Sequence, residues 1–317
     1  MKQAPFETLH AREWGEFEAF LDRKPSFDPA EMPARFRRLC QSLALAADRH
    51  YSADLVDRLN RLALRGHHAL YANRRRESQQ VLDFMLVGFP RLVRAEWRLV
   101  AAAAALFFGP LVGLIAVLQG FPDFVHYLLT PEQIASFHEM YDPAARRLGR
   151  RESDTSFLMF GVYIWNNVRI GFQTFAGGML AGVGSAWFLG SNGVIIGAVA
   201  GYLTQIGYTE TFWSFVAGHS SFELIAIVLS GAAGFKLGLA IIAPGNASRR
   251  SALVAAARPA VRIMYGAAVL FFIAAFVEAF WSPITEVPFN LKIGVGIAGW
   301  ILLLAYLGLA GRARAAG

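Results

Sequence analysis

The longest stretch without a charged side chain is the feature that most restricts the fold of this 317-residue chain. It runs for 40 residues, from Ile170 to Thr209, between Arg169 and Glu210. Because a helix crosses the hydrocarbon core of a membrane in about 20 residues, one helix of this length would extend far beyond the bilayer. The chain is therefore predicted to cross twice here, with a turn at the polar, glycine-containing sequence 190–193.

Four further apolar segments lie on either side of this stretch, and together they predict an all-α membrane protein with six transmembrane helices. The predicted spans lie near residues 99–119, 168–189, 193–208, 212–243, 263–281 and 293–309. An even number of crossings places both ends of the chain on the same side. That side carries the arginines of segment 249–262, together with Arg312 and Arg314, so the positive-inside rule predicts that both termini are cytoplasmic. The loop 120–156 carries four arginines on the other side, which weigh less because the loop is long: Arg146, Arg147, Arg150 and Arg151.

The charged residues are distributed unevenly along the chain. Residues 1–98 hold 30 of the 53 Asp, Glu, Lys and Arg side chains, which predicts a cytoplasmic helical region at 1–98 and a transmembrane domain at 99–311. Within the first region, apolar residues at helical spacing predict four helices, near 6–21, 39–46, 55–70 and 77–98. The last of these contains Pro90 and is predicted to kink there and to lie in the headgroup layer.

Several functional classes are excluded by composition and motif. The single cysteine, Cys40, excludes a disulfide framework and a multi-cysteine metal site. The formal net charge of +7 is explained by arginines that flank apolar segments, so nucleic acid is not a predicted partner, whereas membrane lipids are. Neither a Walker A loop nor a dinucleotide-binding glycine motif is present, so any energy from ATP would have to come from a separate protein.

Ionisable side chains inside predicted spans are the candidate functional residues, because burying them costs several kcal/mol unless they are paired or hydrated. His219 and Glu223 are four residues apart and share one helix face. Glu278 lies near the outer end of the fifth predicted span, and the polar residues of the second predicted span enter from the same side, so they are expected to converge with His219 and Glu223. The predicted intramembrane polar cluster consists of Asn166, Asn167, Arg169, Gln173, His219, Glu223 and Glu278.

This cluster has several interpretations. It is either a proton- or substrate-handling site, a contact point for an extracytoplasmic partner, or an inter-helix clamp in which Arg169 neutralises Glu223 or Glu278. One histidine and one or two glutamates fall short of the usual metal ligand set, so neither a metal nor a cofactor is predicted. Hydrolysis has less support, because Ser220 and Ser221 point away from their helix neighbour His219. A hydrated cavity at the cluster would favour transport or catalysis, and a dry, fully paired cluster would favour a scaffold.

Glycines at four-residue intervals predict faces where helix backbones pack closely in lipid. The predicted packing glycines are Gly178, Gly182, Gly193, Gly197, Gly201, Gly234 and Gly238. Such faces either pack helices within one subunit or form the seam of a dimer. A homodimer is the predicted assembly.

Several of these segments resemble the stage II sporulation protein M family. The resemblance is carried by residues 218–224, 230–238 and 274–283, with 166–169 and 191–197 fitting the second and third spans. In the N-terminal region, residues 59–71 are similar to long members of the family from bacteria that do not sporulate. The resemblance implies a polytopic membrane protein, since the founding member is a membrane scaffold that holds peptidoglycan-degrading enzymes. The longer relatives tend to be encoded beside a MoxR-type AAA+ ATPase, a von Willebrand-like protein and an RDD-domain membrane protein.

Two functions are therefore expected from the sequence. The first is a non-enzymatic scaffold or organiser of a peptidoglycan-related envelope assembly in the bacterial inner membrane. Its N-terminal region would bind a cytoplasmic partner such as the AAA+ ATPase system, and its polar cluster would contact envelope proteins. The alternative is a permease-like subunit for a lipid or small substrate that works with a separate ATPase.

Overall fold

The computed structural model describes residues 2–22, 24, 26–144, 148–149 and 155–312, and within these ranges the side chains of 71–77 are not described. The described residues form helices, turns and bends without a strand, which confirms the prediction of an all-α fold. The arginines at 146, 147, 150, 151 and 314, which entered the topology prediction, lie outside the described residues. The chain divides into two compact units, Met1–Phe84 and Met85–Gly317.

Among its described residues, the first unit contains three α-helices: α1 (Gln3–Leu21), α2 (Met32–Asp48) and α3 (Ala53–Asp83). They bury an apolar core of their own, formed by Phe6, Trp14, Phe17, Met32, Leu39, Ala46, Leu55, Leu59 and Leu62. Ion pairs at the surface connect successive helices, among them Arg35 with Glu16 at 2.7 Å. The third helix continues well beyond the predicted end near residue 70, through the arginine-rich segment.

The second unit contains eight helices among its described residues. They are α4 (Phe89–Ala95), α5 (Trp97–Gly120), α6 (Pro131–Tyr141), α7 (Ser156–Ala176), α8 (Val183–Gln205), α9 (Thr209–Ile242), α10 (Arg249–Phe280) and α11 (Phe289–Leu309). Five of them, α5, α8, α9, α10 and α11, are long and apolar enough to cross a membrane. Helix α9 lies at the centre of these helices: 67% of its most apolar 18-residue segment is buried, compared with 17% of the corresponding segment of α5.

Helix α7 takes the place of the second predicted span, and it differs from the five helices just named. It has 21 residues, enough to span hydrocarbon, but its polar residues make it less apolar than the five. It runs antiparallel to α10, because Phe160 packs against Phe276 and Phe280 whereas Gly171 lies against Phe271. The count of six crossings stays a prediction.

The predicted turn at 190–193 is wrong. Helix α8 is continuous through these residues, where the side-chain amide of Asn192 donates to the Phe188 carbonyl at 2.7 Å and is thereby satisfied within the helix. The chain turns instead at 177–182, where Ala181 and Gly182 have positive φ angles of 54° and 83°. The spans predicted at 168–189 and 193–208 are therefore replaced by α7 and α8.

The turn lies at 177–182 because three backbone segments come into close contact there, and only glycine, which has no side chain, leaves room for that contact. A Cβ added at Gly178 would collide with the backbone of Gly234, and one added at Gly177 would lie 2.6 Å from the carbonyl carbon of Gly184. Gly190, in the predicted turn, has open space around it and makes no such close approach. The sequence contains glycines at both places, and only tertiary packing distinguishes them.

The single helix predicted over 77–98 is also wrong, because the helix is interrupted at Phe84–Gly88 and again at Glu96, between α4 and α5. Helix α3 passes into a five-residue π-helical segment, Phe84–Gly88, and α4 begins at Phe89 with Pro90 in its first turn, where a missing N–H costs little. Arg94 donates to the carbonyls of Leu307 and Ala310 at 2.6 and 2.7 Å. Residues 85–98 therefore belong to the second unit. Arg94 satisfies carbonyls at the C-terminal end of α11 that have no partner within that helix.

The seven predicted packing glycines all pack within one chain. A Cβ added at Gly197 would lie 2.6 Å from the Leu111 carbonyl oxygen of α5, and Gly193 and Gly201 meet the same helix. Gly178, Gly182, Gly234 and Gly238 form the contact of the 177–182 turn with α9. These glycines are used for intrachain packing, so the homodimer stays a prediction that they do not support.

Candidate functional site

Three ionisable side chains of the predicted cluster meet between α9 and α10. His219 and Glu223 lie one turn apart on α9, and Glu278 faces them from α10; one nitrogen or oxygen atom from each lies within 4.8 Å of the others. The His219 Nε2–Glu223 Oε2 distance is 3.8 Å, which is too long for a hydrogen bond. We call these three residues the His–Glu–Glu cluster.

The imidazole ring of His219 is held from its other nitrogen. Nδ1 lies 3.0 Å from the Ser282 hydroxyl, and the ring packs edge-on against Phe215 with a centroid distance of 5.5 Å. The carbonyl oxygen of Ser282 in turn accepts a hydrogen bond from Lys292 Nζ at 2.8 Å. With its side chain only 4% exposed, His219 is fixed so that Nε2 faces the two carboxylates.

The His–Glu–Glu cluster has no neutralising cation among the described residues. Arg169 is exposed, and its one hydrogen bond among the described residues goes to the Asn166 side chain at 3.3 Å. The predicted clamp, in which Arg169 neutralises Glu223 or Glu278, is therefore wrong. Within the described part of the chain, Glu278 Oε2 is buried without a hydrogen-bond partner.

The remaining predicted residues lie on different faces of α7. Gln173 is exposed and does not join the cluster, whereas Asn166 faces it across a cavity. Asn167 is 1% exposed, and neither its side-chain nitrogen nor its oxygen has a hydrogen-bond partner among the described residues. Asn166 and Asn167 lie at the middle of α7 and Gln173 lies in its last turn, because that helix begins at Ser156, twelve residues before the predicted start of the span.

A cavity of about 300 Å³ opens beside the cluster. Its walls come from six helices, and apart from the cluster and Asn166 they are largely apolar. The lining residues are Leu111, Ile115, Phe137, Tyr141, Asn166, Ile195, Ile196, Val199, Ala200, Phe212, Trp213, Phe215, Val216, His219, Ser220, Glu223, Leu224 and Glu278. An apolar pocket with a few converging polar groups is the usual form of a small-molecule site.

Helix α6 contributes two of the lining residues, Phe137 and Tyr141, and is itself firmly placed. It begins with a capping box between Thr130 and Gln133, and its last carbonyl, at Tyr141, accepts from the Thr211 hydroxyl at 2.7 Å. Burial, with a smaller contribution from the nearby Glu278 carboxylate, raises the pKa of the Tyr141 phenol above its ordinary value. The phenol is therefore protonated at neutral pH and is a hydrogen-bond donor at the cavity wall.

Comparison with known families agrees with this architecture. The family model described as Stage II sporulation protein M matches residues 101–283, more than half of the chain. The chain belongs to this family. A second model, a domain of unknown function (DUF8413), matches residues 4–72 in the first unit. No curated protein and no solved structure matches the chain.

In this stage II sporulation protein M family member, the matched segment contains the whole His–Glu–Glu cluster and Ser282, but it ends before Lys292. Sequence reasoning missed Ser282 and Lys292 as parts of the site. Lys292 is buried, with 1% of its surface exposed, although its position before the sixth predicted span resembled that of an ordinary flanking charge. The signal that was available is the short loop between the fifth and sixth spans, which brings Ser282 and Lys292 within ten residues of each other.

A second ionisable contact of the family member lies near the other end of α9. Lys236 has its Nζ 2.6 Å from Glu96 Oε1. The pair lines an open groove of about 800 Å³ between the start of α5, the end of α9 and the start of α10. Lys236 is thus a paired residue.

Proposed function

We propose that this stage II sporulation protein M family member is a permease-like membrane subunit that binds a small polar or cationic solute at the His–Glu–Glu cluster. The observation that carries the proposal is a pair of adjacent carboxylates, without a neutralising cation among the described residues, on the wall of a cavity of about 300 Å³. A structural clamp satisfies its polar groups internally, because leaving them unsatisfied in a low-dielectric region costs several kcal/mol. A ligand that enters the cavity would satisfy them instead.

The arrangement of arginines supports an orientation for this site. Arg94, Arg98, Arg249 and Arg250 all lie where helices begin or end on the side opposite α6. The positive-inside rule assigns that side to the cytoplasm, with both termini cytoplasmic if α7 is a sixth crossing. The cavity, covered by α6, then lies in the extracytoplasmic half of a bacterial inner membrane. Exposed apolar side chains on the outer faces of the helices fit a lipid surround.

A second candidate function is a non-enzymatic scaffold that organises a peptidoglycan-related envelope assembly. It is favoured by the first unit, which has its own buried core and its own family match and so fits a docking module for a cytoplasmic partner such as an AAA+ ATPase system. This function makes no use of the cavity. The two candidates therefore differ in what happens when the cavity is filled or its carboxylates are neutralised.

Solute access to the cavity can be measured with a matched pair of cysteines. In a Cys40→Ser background, Val216→Cys places a thiol on the cavity wall, and Val228→Cys places one at a 1% exposed position of the same helix. We expect a small charged thiol reagent to label Val216→Cys at least about tenfold faster in membrane vesicles, because a charged reagent reaches hydrated positions only. Equal labelling rates would contradict the proposal.

The role of the cavity is tested in cells that depend on the protein. Val216→Trp fills the cavity while keeping all three polar residues, and Glu210→Gln removes an exposed carboxylate of the same helix as a control. We expect Val216→Trp to abolish complementation at a wild-type level of folded protein, with Glu210→Gln fully active. Complementation by Val216→Trp would support the scaffold.

A further inference from the structure

We infer that His219, Glu223 and Glu278 are the ligands of one divalent transition-metal cation, of the class that includes Zn²⁺. The inference rests on the proposed function, since it names the kind of cation that the cavity takes. It also revises the expectation from sequence that one histidine and one or two glutamates fall short of a metal ligand set.

The first argument is the spacing of the donor atoms. Zn²⁺ binds histidine nitrogen and carboxylate oxygen at about 2.0–2.2 Å, which puts neighbouring ligand atoms roughly 3.4 Å apart in a tetrahedral site. The His219 Nε2–Glu223 Oε2 distance of 3.8 Å is close to this value, and all three donors lie within 4.8 Å of one another. A small side-chain adjustment therefore completes the coordination.

The second argument is the group behind the histidine. A metal-binding histidine almost always uses its second ring nitrogen for a hydrogen bond that fixes the tautomer. His219 has this arrangement: with the proton on Nδ1, the ring donates to Ser282 Oγ at 3.0 Å and leaves the Nε2 lone pair facing the carboxylates. Among the described residues, Nε2 itself makes no hydrogen bond.

The third argument is charge. Two carboxylates a few ångströms apart repel each other strongly where water is scarce, and the ammonium of Lys292 is directed to the Ser282 carbonyl. A divalent cation between the carboxylates would neutralise both at once and would satisfy Glu278 Oε2, which is buried and unpartnered among the described residues. Imidazole and carboxylate together suit transition metals better than Mg²⁺ or Ca²⁺.

The cavity supplies the rest of the site. Three protein ligands leave at least one coordination position open, as in metal sites that exchange water or substrate. The cluster lines the cavity together with the Tyr141 phenol and the Asn166 amide, which would offer hydrogen bonds to water bound at that position. The arrangement fits a site that the cation can enter and leave.

The test uses the full-length protein, purified with a tag that contains no histidines, stripped with a chelator and dialysed against Zn²⁺. We expect one Zn²⁺ per chain by elemental analysis in the wild type and in the control Glu210→Gln. Glu223→Gln, Glu278→Gln and His219→Gln should each lose stoichiometric binding. Ser282→Ala keeps all three ligands and should bind about 10–100-fold more weakly, as is typical when the partner of a metal-binding histidine is removed.

Wild-type protein without stoichiometric Zn²⁺, or ligand variants that bind as well as the wild type, would overturn the inference. Ser282→Ala provides the decisive affinity measurement if a ligand variant does not fold. The thiol-labelling test separates the two proposals: a labelled Val216→Cys without Zn²⁺ binding overturns the metal and leaves the permease, whereas Zn²⁺ binding without labelling overturns the permease alone.

Discussion

Helix α9 carries ionisable residues in its N-terminal half and near its C-terminal end, and the two groups differ in how their charges are paired. Near its C-terminal end, Lys236 is paired with Glu96 at 2.6 Å. Nearer its N-terminal end, His219, Glu223 and Glu278 meet without a neutralising cation among the described residues, beside a cavity. The Lys236–Glu96 pair thus shows that this fold supplies a partner for a charged side chain whose role is structural. The carboxylates of the His–Glu–Glu cluster lack such a partner among the described residues, which a ligand explains and packing does not.

The largest expected effect comes from breaking the complete pair. Lys236→Met leaves the Glu96 carboxylate partly buried and unpaired, and we expect it to lower the free energy of unfolding by about 2 kcal/mol, less than the roughly 3–5 kcal/mol of a fully buried pair because both side chains are partly exposed. Thermal unfolding in detergent measures this loss. The double variant Lys236→Met/Glu96→Gln should recover most of the loss, and a loss that simply adds in the double variant would show that the two residues do not interact.

The same operation on the His–Glu–Glu cluster should have the opposite sign. Glu278→Gln removes one of two adjacent carboxylates and keeps the shape of the side chain, so without added metal we expect the free energy of unfolding to rise by about 1 kcal/mol, as when strain at a functional site is relieved. Thermal unfolding after chelation measures the change. A loss as large as that of Lys236→Met would mean that Glu278 is a structural partner, and the contrast between the two ends of α9 would fail.

The sequence was sufficient for some parts of this comparison and insufficient for others. The i, i+4 spacing of His219 and Glu223 placed them on one face of a helix without any structure, because helical periodicity is local. Glu278 joined them because it lies near the same outer side of a neighbouring predicted span. Arg169 was misassigned, since its distance from the glutamates depends on the rotation of α7 about its own axis, which a single sequence does not determine.

The glycines illustrate the same limit. Their four-residue intervals indicated close helix packing, which the contacts of Gly197 with α5 and Gly234 with the 177–182 turn show within the chain. The turn itself was predicted at 190–193, because a glycine that packs and a glycine that turns have the same appearance in sequence. Only the positive φ of Gly182 and the collision that a side chain at Gly178 would cause identify the true turn.

An effect of similar size, but a loss of stability, is expected at the group that orients His219. Ser282→Ala removes the hydroxyl beside Nδ1 but keeps the carbonyl that accepts from Lys292, so we expect a loss of about 1 kcal/mol, the usual net value of one hydrogen bond. Thermal unfolding of the chelated protein measures it, with Ser191→Ala, which removes a partly buried hydroxyl that bonds only within its own helix, as the control. An unchanged midpoint would indicate that the ring is held by Phe215 packing alone and would weaken the comparison with metal-binding histidines.

The smallest effect is expected for the ion pair of Glu16 with Arg35 at the surface of the first unit. Hydrogen bonds from Arg35 and then Arg12 lower the pKa of the Glu16 carboxyl below its ordinary value of 4.5. Because the folded-state pKa is the lower one, the stabilisation is fully present above the unfolded-state pKa and is lost as the pH falls through the folded-state pKa. We expect Glu16→Gln to lower the thermal midpoint slightly at neutral pH, by less than Ser282→Ala, and to make no difference at a pH well below 4. A difference that persists in acid would mean that Glu16 acts through packing, since a protonated carboxyl has no charge to pair with Arg35.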